Sequence, residues 1–292
     1  MDRIIATPSY TREIIEKTQF FFKKNFGQNF LIDANIIRRI VQAAGITKND
    51  FVLEIGPGIG SLTQFLCASA REVAAVEIDR QLIPILKETL ADEQNLTLIQ
   101  SDILKLDLSA LIQEKNHGQP IKVAANLPYY ITTPILMALL EQQLPLSSIT
   151  VMVQKEVANR MQATPGTKDY GALSVAVQYY SQPHFDFVVP PSCFMPRPAV
   201  DSAVITLYIP QQRLYPVGQP DFFFQVVKGA FAQRRKTLVN CLQHADFLSI
   251  SKDTLLAVLS GLGLPAAVRG EALSISQFAA LSEALLPYRN TK

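Results

Sequence analysis

The 292-residue sequence predicts an α/β protein, a doubly wound and mostly parallel sheet followed by a small all-α domain. Three observations predict it. Short apolar runs alternate with amphipathic segments from about residue 36 to residue 153, the pattern of parallel strands joined by crossover helices. The first of these runs, Phe51-Val52-Leu53-Glu54-Ile55, enters the glycine-rich turn Gly56-Pro57-Gly58-Ile59-Gly60. Such a turn lets backbone approach a ligand and aims helix N–H groups at it. Finally, Gln211 to Pro220 carries proline and glycine and reads as a linker, and Asp221 to Lys292 is helix-like throughout. The expected domains are residues 1–210, with an N-terminal arm, and 211–292.

Composition narrows the function classes. Hydrophobic residues make up 48% of the chain, enough for one large core and a smaller one. The net charge of +2 means that any nucleic-acid surface must be a local patch. Cys67, Cys193 and Cys241 form no CxxC, and His117, His184 and His244 form no HxxxH. No metal site and no disulfide framework is expected, which suits a cytoplasmic protein. Met1 to Thr11 lacks the apolar core of a signal peptide. The charge-free run from Val123 to Leu140 contains Asn126, Pro128, Thr132, Thr133 and Pro134, so it reads as strand, turn and helix rather than a membrane span.

Taken in order, Thr11 to Thr18 predicts a short helix. Phe20-Phe21-Phe22 beside Lys23-Lys24 reads equally as an arm folded over the core or as one offering charge to a phosphate. Phe26 to Leu31 is a shaped loop, and Asp33 is the expected N-cap of a helix carrying Ile36, Ile37, Ile40 and Val41. The turn after Ile55 has the spacing GxGxG rather than GxGxxG, which favours a ligand without a pyrophosphate. The second strand, Val73 to Ile78, carries Glu77 at its tip, where a carboxylate accepts hydrogen bonds from ribose hydroxyls. The third, Leu96 to Gln100, is followed by Asp102, placed either to accept from an adenine amine or to cap the next segment.

The fourth strand, Ile121 to Ala125, stops at Asn126-Leu127-Pro128-Tyr129. Pro128 fixes its own φ and holds Leu127 extended. The turn therefore offers an amine two acceptors, Asn126 Oδ1 and the Leu127 carbonyl, and offers a base the face of Tyr129. An ordinary turn in which Asn caps and Tyr packs has the same composition. What favours the functional reading is convergence: Gly56, Glu77, Asp102 and Asn126 follow four successive strands, and those carboxyl ends form one crevice in an open parallel sheet. The implied ligand is an adenosine compound, and S-adenosylmethionine fits. Methyl transfer moves positive charge onto the attacking nitrogen, where oxygen lone pairs stabilise it. A base buried in a duplex cannot reach such a pocket, so the target nucleotide must be unpaired or flipped out.

Further on, a helix is expected over Thr133 to Gln143, a strand over Ile149 to Val153 and a helix over Lys155 to Met161. Two more strands are expected over Leu173 to Val177 and Ala203 to Leu207. The proline-rich loop Pro190 to Pro198 either holds Phe194 for function or buries it. Arg234-Arg235-Lys236, expected on a helix, is the densest basic cluster and the expected phosphate contact.

The sequence resembles the KsgA/RsmA family of ribosomal RNA adenine dimethyltransferases, relatives of the Erm methyltransferases. The resemblance rests on Gly27-Gln28-Asn29-Phe30-Leu31, Glu54 to Gly60, Val76-Glu77-Ile78-Asp79, Ser101-Asp102, Asn126-Leu127-Pro128-Tyr129, Gln154 to Ala158, Phe194 to Ser202, and Arg234 to Leu238. It implies a Rossmann-like class I S-adenosylmethionine-dependent methyltransferase. Asn29, Leu31, Gly56, Glu77, Asp102 and Asn126 would contact the cofactor, with Gly58 in the same turn. Asn126 and the Leu127 carbonyl would hold the target amine, with Pro128 setting the turn, and Tyr129 and Phe194 would sandwich the adenine. The implied substrate is two adjacent adenosines in the hairpin loop near the 3′ end of 16S ribosomal RNA, and the implied partner is an immature 30S subunit met by a monomer. Tyr170-Gly171-x-Leu173-Ser174-Val175 and the Val200-Asp201-Ser202 ending favour this branch over an Erm-like 23S enzyme. Tyr130 and Thr132 stand where many members carry Asn and Ser. A non-catalytic assembly factor of the same fold and a DNA amino-methyltransferase are the alternatives from other classes.

Overall fold

The computed structural model describes residues 3–22 and 27–290. Lys23, Lys24 and Phe26 of the expected arm and loop lie outside the described residues. The chain forms two compact units, Met1–Ala158 with Pro183–Ile209, and Asn159–Gln182 with Pro210–Lys292.

In chain order the first unit begins with α1 (Pro8–Thr18), β1 (Phe30–Leu31) and α2 (Ala34–Ala43). It continues through β2 (Phe51–Ile55), α3 (Ser61–Ser69), β3 (Glu72–Glu77), α4 (Leu82–Thr89), β4 (Leu96–Gln100) and α5 (Leu108–Asn116). Next come β5 (Ile121–Asn126), α6 (Thr132–Glu141) and β6 (Leu146–Gln154), then α7 (Lys155–Gln162), whose first half belongs to the first unit and second half to the second. After α8 (Ala172–Tyr180), which belongs to the second unit, the sheet is completed by β7 (Gln182–Val189) and β9 (Ser202–Tyr208), with the short β8 (Phe194–Met195) between them.

Seven strands form one sheet in the order β4-β3-β2-β5-β6-β9-β7. The pairs from β4 to β6 are parallel, and β9 runs antiparallel to β6. Strand order reverses between β2 and β5, which pair directly with Ile55 opposite Ala125. That reversal is the topological switch point of a doubly wound sheet, where a crevice opens between diverging loops.

The central strands are buried on both faces. Val52, Val73, Ala124, Met152 and Val204 pack with Ile36, Ile37 and Ile40 of α2 and Leu62 and Leu66 of α3. Their neighbours Leu53, Ala74, Val123 and Val151 point the other way and are equally buried, so that face is covered too. Asp33 caps α2 as expected, its Oδ1 accepting from Asn35 N–H at 2.9 Å and Ile36 N–H at 3.3 Å. The N-terminal arm folds over the core: Ile5, Ile14 and Phe20 pack with Phe30, Ile59 and α4 residues Leu82, Ile85 and Leu86.

The second unit holds α8, α9 (Pro220–Ala230), α10 (Leu238–Leu242), α11 (Lys252–Gly261) and α12 (Ile275–Leu285). Its core is built from Val175, Tyr179, Phe222, Phe223, Val226, Leu238, Leu255, Phe278 and Leu281, with Tyr179 stacked on Phe223 at 4.9 Å.

Two expectations are corrected. Leu173 to Val177 is helical, not a strand. A short continuous apolar run does not distinguish a buried strand from a buried helix. Here Ser174, Val175, Ala176, Val177 and Tyr179 are all buried in a helical core, and the Gly171 N–H donates to Ser174 Oγ at the helix start. Arg234-Arg235-Lys236 is not on a helix but in the turn between α9 and α10. Thr237 caps α10, its Oγ accepting from the Asn240 N–H, so the cations precede the helix.

Candidate active site

One cavity at the carboxyl end of the sheet is lined by Asn29, Leu31, Gly56, Gly58, Glu77, Asp102, Asn126, Leu127, Pro128 and Tyr129. These are ten of the residues singled out in the sequence: the register of β2, β3, β4 and β5 at the switch point brings eight together, and β1 with the loop before it adds Leu31 and Asn29. Gly58 has φ +63°, and a Cβ there would stand 3.1 Å from Phe30 Cε1, so the turn needs glycine both for its backbone and for the loop packed over it.

Glu77 sits at the tip of β3 with both oxygens held by backbone. Oε2 accepts from Gly58 N–H at 3.2 Å and Oε1 from Asp79 N–H at 2.8 Å. Burial raises its pKa, and the two backbone N–H groups offset part of that rise. Each carboxylate oxygen has lone pairs beyond these single bonds, which suits it to accept from ribose hydroxyls. Asp102 lines the cavity and also caps its own segment, with Oδ1 accepting from Leu104 N–H at 3.0 Å. The two readings given for it in the sequence are compatible.

The Asn126 amide is oriented from outside its own turn. Nδ2 donates to the Asn29 carbonyl at 3.0 Å, which commits the amide nitrogen and leaves Oδ1 as the acceptor. The Pro128 carbonyl closes the turn, accepting from Ile131 N–H at 3.2 Å and Thr132 Oγ at 3.0 Å. Tyr129 is fixed at its far end by a 2.6 Å hydrogen bond between its hydroxyl and buried Ser202. Burial raises the Tyr129 pKa, so the hydroxyl stays protonated. Tyr130, 56% exposed, stands at the rim.

Phe194 is not among the residues that line the cavity. It is 2% exposed, paired with Leu31 across the two-stranded β1–β8 sheet, and packed in the core with Val52 and Val204. Its strand partner Leu31 does line the cavity. In the second unit, Arg234, Arg235 and Lys236 are all exposed, and Arg234 also donates to the Lys168 carbonyl at 2.6 Å and pairs with Glu271 at 3.5 Å.

Sequence reasoning gave no site role to Glu54, Gln28 or Asp79. Glu54 is 1% exposed, lines the cavity, and leaves Oε2 without a hydrogen-bond partner among the described residues. Burial pushes its pKa up to about 8, the facing Thr63 hydroxyl lowers it in part, and Glu77 raises it. The signal was a charged residue inside an apolar strand, Phe51 to Ile55. Among the described residues no cluster of His, Cys, Asp and Glu is placed to hold a metal, and no helix is long and apolar enough to cross a membrane.

A mostly parallel doubly wound sheet, an acidic strand tip beside a glycine turn, and an Asn-Leu-Pro-Tyr corner together define a class I S-adenosylmethionine-dependent methyltransferase. The family model described as ribosomal RNA adenine dimethylase matches residues 19–280, and the chain belongs to that family. It is 53% identical over 280 residues to the ribosomal RNA small subunit methyltransferase A of Lachnoclostridium phytofermentans, covering 96% of this chain and 97% of the relative. With the protein of the same name from Clostridioides difficile it shares 50% identity over 292 residues, 100% of this chain and 99% of the other. Among solved structures, a dimethyladenosine transferase from Plasmodium falciparum superposes with TM-score 0.71 at 26% identity, covering 86% of this chain and 95% of that one. The 23S rRNA methyltransferase ErmE superposes with TM-score 0.66 at 27% identity, covering 88% and 99%.

Proposed function

We propose that this chain transfers methyl groups to N6 of two adjacent adenosines in the hairpin loop near the 3′ end of small-subunit ribosomal RNA, acting as a cytoplasmic monomer on an assembling 30S particle. The observation that carries the chemistry is the Asn126 amide, whose nitrogen is committed to the Asn29 carbonyl and whose oxygen is therefore the acceptor at the switch-point cavity.

The residues present suit an adenosine cofactor. Glu77 would accept from ribose hydroxyls, Asp102 from the adenine amine, and the Gly56 and Gly58 backbone would approach closely, with Asn29 and Leu31 as wall. The Glu54 carboxyl oxygen that has no partner among the described residues adds a buried hydrogen-bonding group in the same cavity. S-adenosylmethionine, when bound, supplies an electrophilic methyl group.

Asn126 Oδ1 and the Leu127 carbonyl would accept hydrogen bonds from the target amine and stabilise the positive charge that develops on its nitrogen. Tyr129 would support an unpaired adenine on its ring, worth about 1–3 kcal/mol for one stacked base. Phe194, paired with the cavity-lining Leu31, would supply the second ring of the sandwich. Exposed Arg235 and Lys236 would contact phosphates in a sequence-independent way.

Names of relatives at 50–53% identity support the small-subunit substrate, while the Erm-type likeness stands at 27%. Methyl transfer assayed side by side on undermethylated 30S particles and on large-subunit RNA tests the choice. Label confined to the large-subunit RNA would reject it.

A further inference from the structure

The loop that carries Asn29 is tied to the cofactor side of the crevice by a route that the methyl-transfer chemistry does not itself require. Asp79 lies two residues beyond Glu77 and is 2% exposed. Its backbone N–H donates to Glu77 Oε1 at 2.8 Å. Its Oδ1 accepts from the Gln81 N–H at 3.1 Å, ahead of α4. Its Oδ2 accepts from Gln28 Nε2 at 2.9 Å. Gln28 is followed by Asn29, whose Nδ2 donates to the Gly27 carbonyl at 3.1 Å and whose own carbonyl receives the Asn126 amide at 3.0 Å. Beyond it, Phe30 and Leu31 pair with Met195 and Phe194.

Residues 27–29 are thus gripped from two strand ends, by Asp79 after β3 and by Asn126 at the end of β5. The connection from Glu77 through Asp79, Gln28 and Asn29 to Asn126 runs across the crevice, from its ribose end to its amine end. A buried carboxylate holds its donors tightly, because losing one in a low-dielectric site is costly.

We propose that Gln28 and Asp79 are positioning residues that couple the set of Glu77 to the set of the Asn126 amide, so that the cofactor site and the amine acceptor are aligned together. This rests on the reading of the crevice as the cofactor site and of Asn126 as the amine's acceptor.

The test reverses the polarity of one hydrogen bond. Gln28→Glu sets a carboxylate against Asp79, and Asp79→Asn presents an amide to Gln28. The double variant Gln28→Glu with Asp79→Asn restores one donor and one acceptor, and the introduced amide oxygen still accepts from the Gln81 N–H. In the full-length protein, the affinity for S-adenosylhomocysteine is measured by calorimetry. The kcat on undermethylated 30S particles is measured at saturating cofactor, and the melting temperature alongside. Gln28→Glu is expected to weaken calorimetric affinity at least fivefold and to lower kcat at least tenfold, and the double variant is expected to recover most of both. Three outcomes overturn the proposal: a lowered melting temperature with unchanged affinity and kcat, weakened affinity with unchanged kcat, or a double variant no better than the worse single one. Should wild-type protein not methylate 30S particles, the substrate reading falls. In that event calorimetry still judges the grip on the cofactor side, and an unchanged affinity there overturns the coupling.

Discussion

Asn126→Ala removes the acceptor while leaving the surrounding turn anchored through Pro128 and Thr132. Losing one preorganised polar group at a charge-developing centre costs about 100- to 1000-fold in kcat, and that loss is expected here. Gel-shift affinity for the RNA is expected to stay within about twofold, because phosphate contacts carry it. Equal losses in turnover and binding would assign Asn126 a different job. Tyr129→Phe keeps the ring and removes the 2.6 Å bond to Ser202, so it is expected to cost less activity than Tyr129→Ala, and matching losses would contradict a stacking role.

Glu54 makes a prediction about stability. The folded protein holds its proton more tightly than the unfolded chain, because burial raises the pKa from 4.5 to about 8. The penalty is absent below the lower value, grows as pH rises between the two, and is complete above the higher one. Cofactor-free wild type is therefore expected to lose melting temperature relative to Glu54→Gln between pH 5 and pH 8. Parallel curves would show that Glu54 ionises freely. Glu77 and Asn126 were legible in the sequence because each closes a strand. Glu54 went unread because a carboxylate inside an apolar run carries no spacing rule.

At the scale of elements, the glycine turn and the basic turn differ in what they tolerate. Gly58→Ala places a side chain at φ +63° and against Phe30. A left-handed backbone costs a residue with a Cβ about 1–2 kcal/mol, and urea denaturation is expected to show at least that loss, with weaker cofactor binding as Phe30 yields. Arg235→Ala with Lys236→Ala is expected to weaken RNA binding and flatten its salt dependence by up to about two phosphate contacts, with little change in melting temperature. Arg234→Ala is expected to lower the melting temperature as well, because that side chain holds the Lys168 carbonyl and Glu271. An unchanged salt slope in the double variant would remove this turn from the RNA surface. The sequence misplaced these cations because Arg-Arg-Lys has good helix propensity and the cap at Thr237 decides where the helix begins. It misread Leu173 to Val177 for a related reason: β-branched residues suit a strand locally, and only the aromatic core around Tyr179 and Phe223 makes the segment a helix.

For the whole molecule, the parallel half of the sheet was readable because every strand from β2 to β6 is an apolar run with a helix after it, even β4, which is only half-buried. β7 was not. Its run Pro183-His184-Phe185-Asp186-Phe187 mixes proline and charge with rings, as an outermost strand covered on one side can. The position of Phe194 was likewise beyond the sequence, since a proline-stiffened loop serves either to display a ring or to bury it. What unites the first unit is the switch point between β2 and β5, which brings an acidic, glycine-lined half and an amide-bearing half to one crevice.

The most direct measurement incubates undermethylated 30S particles with the protein and isotopically labelled S-adenosylmethionine, then resolves the nucleosides of each RNA by mass spectrometry. Label in N6,N6-dimethyladenosine from the small-subunit RNA, lost almost entirely with Asn126→Ala, is the predicted result. Wild-type transfer by Asn126→Ala, or label in any other nucleoside alone, would contradict it.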